Sequence, residues 1–117
     1  VLSDDSINYY NNSTYKVLAD NENELYMVTV VFKYSAPNAN QTYIRLQLEG
    51  GNGTPYERLG SDIPFPKGND VTHEYHQVFQ YYADSSFVNN GSQWKITSNG
   101  GNANVWDIIF FISKIQN

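Results

Sequence analysis

The chain has no cysteine among its 117 residues. Disulfides, thiolate metal sites and cysteine nucleophiles are therefore excluded, and packing must hold the fold, either alone or together with partner subunits. Lys and Arg are also scarce, with 7 against 12 Asp and Glu, which gives a net charge of −5. Because nucleic-acid backbones and anionic membranes attract basic surfaces, this balance disfavours both partner classes.

Long apolar segments are missing as well. The longest apolar run, residues 108–112, is far too short to span a bilayer. No basic-then-apolar signal segment opens the chain, and its first residue is Val rather than Met. We read residues 1–117 as a single domain, excised or processed from a longer protein.

Aromatic and turn-forming residues dominate what is present. Aromatics make up 15% of the chain, with 10 Tyr, and there are fifteen Asn and 8 Gly but only 1 Met. Tyr and β-branched residues favour strands, whereas Asn and Gly favour turns. Turn signals recur at short intervals, so the sequence predicts an all-β antiparallel sandwich with no long helix.

Two segments alternate clearly between apolar and polar residues. In residues 24–34 one face is apolar and predicted to be core, and the opposite face is half polar. In residues 42–49 Ile44, Leu46 and Leu48 share one face, and the other face is polar. The other predicted elements are a hairpin partner at 54–59, an edge or crossover at 62–67, and strands at 71–82, 94–97 and 105–115.

The last strand is apolar on both faces. Strict alternation places Trp106, Ile108, Phe110 and Ile112 on one face and Val105, Ile109, Phe111 and Ile115 on the other. An antiparallel strand with one wet face would alternate with polar residues, so both faces should be covered. One cover is the opposite sheet, and a partner subunit is the simplest second cover, with a capping loop as the alternative. The candidate interface residues are Val105, Ile109, Phe111, Ile115, Leu25 and Met27.

No motif points to catalysis or to a cofactor. His73 and His76 are three apart on a predicted strand and should point to opposite faces, which favours two ordinary strand histidines over a metal site. The oxygen-rich loop 20–24 lacks the calcium-binding EF-hand pattern and is read as a solvated turn, although calcium binding stays open. No nucleophile elbow or phosphate-binding loop is present. We therefore expect a non-enzymatic domain without cofactor.

Tyrosines near predicted loops and strand ends are the remaining functional signal. Tyrosine offers a broad amphipathic contact at low entropic cost, which suits protein and sugar recognition, although packing alone also uses tyrosine. The candidate ligand-binding residues are Tyr9, Tyr10, Tyr56, Tyr81 and Tyr82.

Two stretches together resemble a known family. One is Ile-Pro-Phe-Pro-Lys-Gly at 63–68, followed by the strand from Val71; the other is Phe-Val-Asn-Asn-Gly at 87–91, leading to the closing strand Trp-Asp-Ile-Ile-Phe-Phe-Ile at 106–112. They resemble the jelly-roll head domains of bacteriophage tail fibres and related virion proteins, which are similar to the trimeric tumour-necrosis-factor and complement globular heads. The resemblance covers residues 63–115, and the N-terminal half is compatible with it.

The resemblance implies a homotrimer with apolar strand faces near the three-fold axis and receptor-binding loops at the far end. The family has no fixed receptor-binding motif, so it transfers no binding residue. We expect a non-catalytic jelly-roll head domain on a virion surface or another extracellular surface, binding a host-cell receptor, with a glycan as one candidate. The alternatives are a monomeric carbohydrate-binding module of a secreted enzyme and a secreted or cell-surface adhesion domain. Fold analogy does not fix function.

Overall fold

A computed structural model describes residues 10–11, 16–51 and 53–116. The secondary structure of these residues is β1 (Tyr10–Asn11), β2 (Lys16–Val17), β3 (Leu25–Ser35), β4 (Tyr43–Gly50), β5 (Tyr56–Pro64), β6 (His73–Tyr82), α1 (Ser85–Asn90), β7 (Ser92–Ser98) and β8 (Asn104–Gln116). The predicted all-β class is confirmed. With six residues, α1 is short, and no described helix has the length and apolar content needed to cross a bilayer.

The described strands form two antiparallel sheets. One has the order β1-β2-β7-β4-β5 and the other has the order β6-β3-β8. The chain forms hairpins at β1-β2 and β4-β5 and otherwise moves from one sheet to the other between successive strands. Every such crossing brings the two inner faces back together, so the core lies between the sheets.

The core follows the alternation read from the sequence. Every second residue of β3, from Tyr26 to Tyr34, is buried, and so are Ile44, Leu46 and Leu48 of β4. Full burial of a side chain of this size contributes about 1.5–3 kcal/mol. A one-residue slip would turn each of these side chains to solvent, so core burial fixes the strand register.

Helix α1 brings a further aromatic residue into the core. Asp84 caps its N-terminus by accepting a 2.8 Å hydrogen bond from the Phe87 N–H, and Gly91, with φ of 72°, ends it. Phe87 is fully buried, and its ring stacks on Tyr81 at 4.9 Å between centroids. The sequence analysis did not predict α1, because six residues span fewer than two turns of helix and are too few to show helical periodicity.

A β-bulge in β8 reverses the predicted faces at the start of that strand. Val31 pairs with Ile109, whereas Lys33 pairs with Trp106, so Asp107 and Ile108 together oppose one residue of β3. Asp107 has a φ of 53°, in the left-handed region. The extra residue shifts the alternation by one position. Val105 consequently packs against the core, and its predicted place on the face of Ile109 and Phe111 is wrong.

A second irregularity lies near the end of β8. Leu25 pairs with Gln116 and Tyr26 with Lys114, which leaves Ile115 outside the regular register. Ile115 is half-buried at this point. It therefore does not continue the row of Ile109 and Phe111 in the way that strict alternation predicted.

The bulge makes a test of backbone conformation possible at Asp107. Asn tolerates the left-handed region, whereas β-branched Val does not, and a left-handed conformation costs an ordinary L-residue about 1–2 kcal/mol. We expect Asp107→Val to be less stable than Asp107→Asn by about that amount, measured by urea unfolding. Both variants lose the ion pair to Lys33, so the difference between their free energies of unfolding reports the cost of the left-handed backbone conformation. Equal stability of the two variants would contradict the bulge geometry.

Candidate functional site

The three-stranded sheet carries an apolar surface on the side that faces away from the core. Phe111 and Ile109 of β8 and Val78 of β6 are about half exposed there. Strand register places Ile109 beside Val31, and it places Phe111 and Val78 on either side of Thr29. This apolar outer face is defined by Leu25, Met27, Val31, Val78, Ile109 and Phe111. Contiguous exposed apolar patches of this kind mark interaction sites.

Charged residues border the apolar outer face at one end. Lys33 Nζ lies 3.3 Å from Asp107 Oδ2. On β6, Glu74 is the residue paired with Lys33. Of the six predicted interface residues, the structure brings four together on this face: Leu25, Met27, Ile109 and Phe111. Sequence reasoning missed Val78, because it stands alone among polar residues on its face of β6 and only its position across Thr29 from Phe111 reveals its role.

A concavity of about 480 Å³ lies where β5 and β6 approach each other. Its rim carries two exposed aromatic rings, since Tyr56 is 43% exposed and Tyr82 is 63% exposed. This tyrosine concavity is lined by Leu25, Tyr56, Arg58, Leu59, Gln80, Tyr81 and Tyr82. A volume of this size suits a small ligand.

Arg58 is held rigidly in the wall of the tyrosine concavity. Its Nη1 and Nη2 each donate a 3.0 Å hydrogen bond to one oxygen of Asp84, and its side chain is only 10% exposed. The guanidinium also lies over the rings of Tyr56 and Phe87, at 5.1 and 4.8 Å from their centroids. Hydrogen bonding from Arg58 is the main reason that the pKa of Asp84 is lowered, and it outweighs the opposing effect of burial.

The absence of a side chain at Gly50 leaves room for Arg58. A Cβ added at Gly50 would collide with Arg58 Nε. Because Arg58 is already bonded to Asp84 and stacked on Phe87, it has little freedom to move aside. Gly50, the last residue of β4, therefore also supports the concavity.

Four of the five predicted ligand-binding tyrosines lie within the described residues, where they occupy two places. Tyr56, Tyr81 and Tyr82 line the tyrosine concavity, although Tyr81 is buried between Tyr26 and Phe87 and forms part of its floor. Tyr10 is half-buried and packs on Phe110 at 5.2 Å, outside the set that lines the concavity. Tyr9 lies outside the described residues.

A larger groove of about 1490 Å³ runs along the sandwich beside β7 and β8. Trp94, Ile108 and Ile109 are among the residues that line it. The core residues that also line it, Val30, Phe32 and Leu46, are each only 1% exposed. The groove therefore does not open into the core, and the apolar side chains that it offers to a ligand are the exposed ones at its surface, Ile108 and Ile109 among them.

The ammonium group of Lys114 forms ion pairs with the acidic loop at residues 20–24. Lys114 Nζ lies 3.3 Å from Glu24 Oε2 and 3.4 Å from Asp20 Oδ2. Glu24 Oε1 also accepts hydrogen bonds from the Asn21 N–H at 2.9 Å and the Tyr26 hydroxyl at 3.2 Å. Within the described ranges, no group of three or more His, Asp or Glu side chains is placed to hold a metal ion. Lys114 thus supplies a counter-charge to Asp20 and Glu24 in the loop that the sequence left open as a calcium site.

Glu24 is buried and ionised at neutral pH. Burial opposes ionisation, but Lys114, the Tyr26 hydroxyl and the Asn21 N–H together outweigh it, so the pKa of Glu24 is lowered from the ordinary 4.5. The buried carboxylate therefore depends on its partners, Lys114 above all.

The two histidines point to opposite faces, as the sequence predicted. His73 is buried, where its Nε2 accepts a 3.1 Å hydrogen bond from the Lys67 N–H and its ring stacks on Tyr34 at 5.1 Å. His76 is exposed on the outer face of the three-stranded sheet, opposite Val31. His73 is therefore a packing residue that anchors the turn before β6.

No protein-family model matches the chain. No curated protein matches its sequence.

Lys114→Met tests the cation that closes the loop. Breaking a buried ion pair by removing one partner costs about 3 kcal/mol, because the remaining charge is left uncompensated. We expect urea unfolding to show a loss of that order. The matched control is Lys33→Met, whose ion pair with Asp107 is exposed and should contribute about 0–1 kcal/mol. Similar losses in both variants would contradict the role given to Lys114.

Glu24→Gln tests the same cluster through its pH dependence. Because the folded-state pKa of Glu24 lies below its ordinary 4.5, its stabilisation is complete above the unfolded-state pKa and is lost as pH falls through the folded-state pKa. The stability difference between the native protein and Glu24→Gln should therefore be constant near neutral pH and shrink below about pH 4.5. Urea unfolding at a series of pH values measures it, and a difference that does not change with pH would contradict the assignment.

Proposed function

We propose that this chain is a non-catalytic, trimeric head domain of a virion or tail-fibre protein that binds a receptor on the host-cell surface. The observation that carries the proposal is the apolar outer face of the three-stranded sheet. The location on a virion or another extracellular surface is part of the same proposal.

The strand order supports a jelly roll. In a jelly roll of eight strands, two interleaved Greek keys place strands in the orders 2-7-4-5 and 1-8-3-6. The described sheets contain β2-β7-β4-β5 and β8-β3-β6 in those orders. One feature departs from the pattern, since the two-residue strand β1 lies beside β2 rather than beside β8.

The apolar outer face supports assembly of identical copies. Phe111, Ile109 and Val78 together expose a contiguous apolar surface that burial would stabilise at about 25 cal/mol per Å². Lys33, Asp107 and Glu74 form a polar border that would orient a partner copy. An apolar centre with a polar rim is the usual anatomy of a protein interface.

A second candidate function is a monomeric carbohydrate-binding module of a secreted enzyme. The tyrosine concavity favours it, because exposed aromatic rings beside hydrogen-bonding groups are suited to sugars. This candidate differs from the first in leaving the apolar outer face uncovered. Oligomeric state therefore separates the two.

Light scattering at low and high protein concentration tests the trimer. We expect a concentration-independent mass near three times 13.3 kDa. Phe111→Glu places a charge in the apolar outer face and should give monomers, because burying an unpaired charge is costly. The control Tyr43→Glu, at a tyrosine that is 39% exposed on the other sheet, should remain trimeric.

Two outcomes would overturn parts of this proposal. A native protein that is monomeric at every concentration would remove the trimeric head and leave the carbohydrate-binding module. A Phe111→Glu variant that stays trimeric, with an unchanged circular dichroism spectrum, would show that the subunits meet elsewhere.

A further inference from the structure

We infer that the tyrosine concavity binds a neutral sugar ring and discriminates against sugars that carry a carboxylate. This inference rests on the proposed function in one respect only, namely that the domain binds a ligand displayed on a surface. It adds the place of binding and the chemical class of the ligand.

The rim of the concavity supplies the contacts that a sugar ring requires. Tyr56 and Tyr82 expose aromatic surface on which the C–H face of a pyranose can pack. Gln80, which also lines the concavity, carries both a donor and an acceptor for hydroxyl groups. Tyrosine hydroxyls add further hydrogen-bonding positions at the rim.

The concavity is organised before any ligand arrives. The Arg58 side chain would lose rotamer entropy if a ligand had to order it. Here the Asp84 carboxylate and the Phe87 ring already hold it, and it in turn supports the Tyr56 ring. The entropy of ordering the Arg58 side chain is therefore lost when the domain folds, and ligand binding does not have to supply it.

The charge balance of the wall disfavours an acidic ligand. Arg58 is the one cationic side chain among the described residues that line the concavity. Asp84 neutralises it through one hydrogen bond from each terminal nitrogen, and only 10% of the Arg58 side chain is exposed. A ligand carboxylate would compete for this guanidinium with Asp84, which also caps α1 through the Phe87 N–H. The net charge of −5 on the whole chain also repels an anionic ligand.

Titration with sugars tests the binding place. Chemical-shift titrations should use a panel of neutral gluco-, galacto- and manno-configured oligosaccharides and a matched panel that carries a carboxylate. We expect saturable binding of at least one neutral sugar, weakened about tenfold by Tyr82→Ala and by Tyr56→Ala, the size expected for loss of an aromatic contact. Tyr43→Ala, an exposed tyrosine of the other sheet, is the matched control and should bind as the native protein does.

Asp84→Asn tests the discrimination against charge. Asn is as good an N-cap as Asp, so α1 should be retained, while Arg58 loses its neutralising partner. We expect the variant to bind acidic sugars at least about tenfold more tightly, relative to neutral ones, than the native protein does. A circular dichroism spectrum like that of the native protein verifies its fold.

Three results would overturn the inference. These are no saturable binding of any neutral sugar, a native preference for acidic sugars, and equal binding by Tyr82→Ala and Tyr43→Ala. Light scattering on the same samples separates this inference from the proposed function. A trimer that binds no sugar overturns only the inference, whereas a monomer that binds a neutral sugar overturns only the trimeric head.

Discussion

The pairing of β3 with strands on both of its sides is the constraint on which both candidate surfaces depend. One face of β3 is buried from Tyr26 to Tyr34, and that burial fixes its register with β6 and β8. Because side chains alternate, the same register aligns Val78, Ile109 and Phe111 on the outside. The pairing of Leu25 with Tyr82 sets one wall of the tyrosine concavity. The core thus determines what the surface presents.

The ion pair of Arg58 with Asp84 links three further features of the domain. It joins β5 to the residue that caps α1, positions the guanidinium over Tyr56 and Phe87, and neutralises the cation beside the concavity. An exposed ion pair contributes little to stability. Here the arginine is largely buried between aromatic rings, so its main effect is to fix geometry, and the geometry in turn gives the concavity its shape and charge.

Sequence patterns predicted the regular strands well and the irregular positions badly. The alternation in residues 24–34 and 42–49 located the core because both strands keep an unbroken period of two. The prediction for the closing strand was wrong at Val105, because the left-handed conformation of Asp107 leaves no periodic pattern in the sequence. Tyr56 and Tyr82 were both singled out, but they line one concavity only because of how β5 and β6, which belong to different sheets, are placed. No local pattern encodes such a long-range arrangement.

The loop closed by Lys114 illustrates how the chain supplies its own counterion. A dissolved cation leaves its site when its concentration falls below the dissociation constant, whereas a side-chain ammonium is tethered at a fixed effective concentration. Lys114 is brought to Asp20 and Glu24 by the pairing of β8 with β3, across most of the length of the chain. The loop therefore keeps this counterion on dilution for as long as the two strands stay paired.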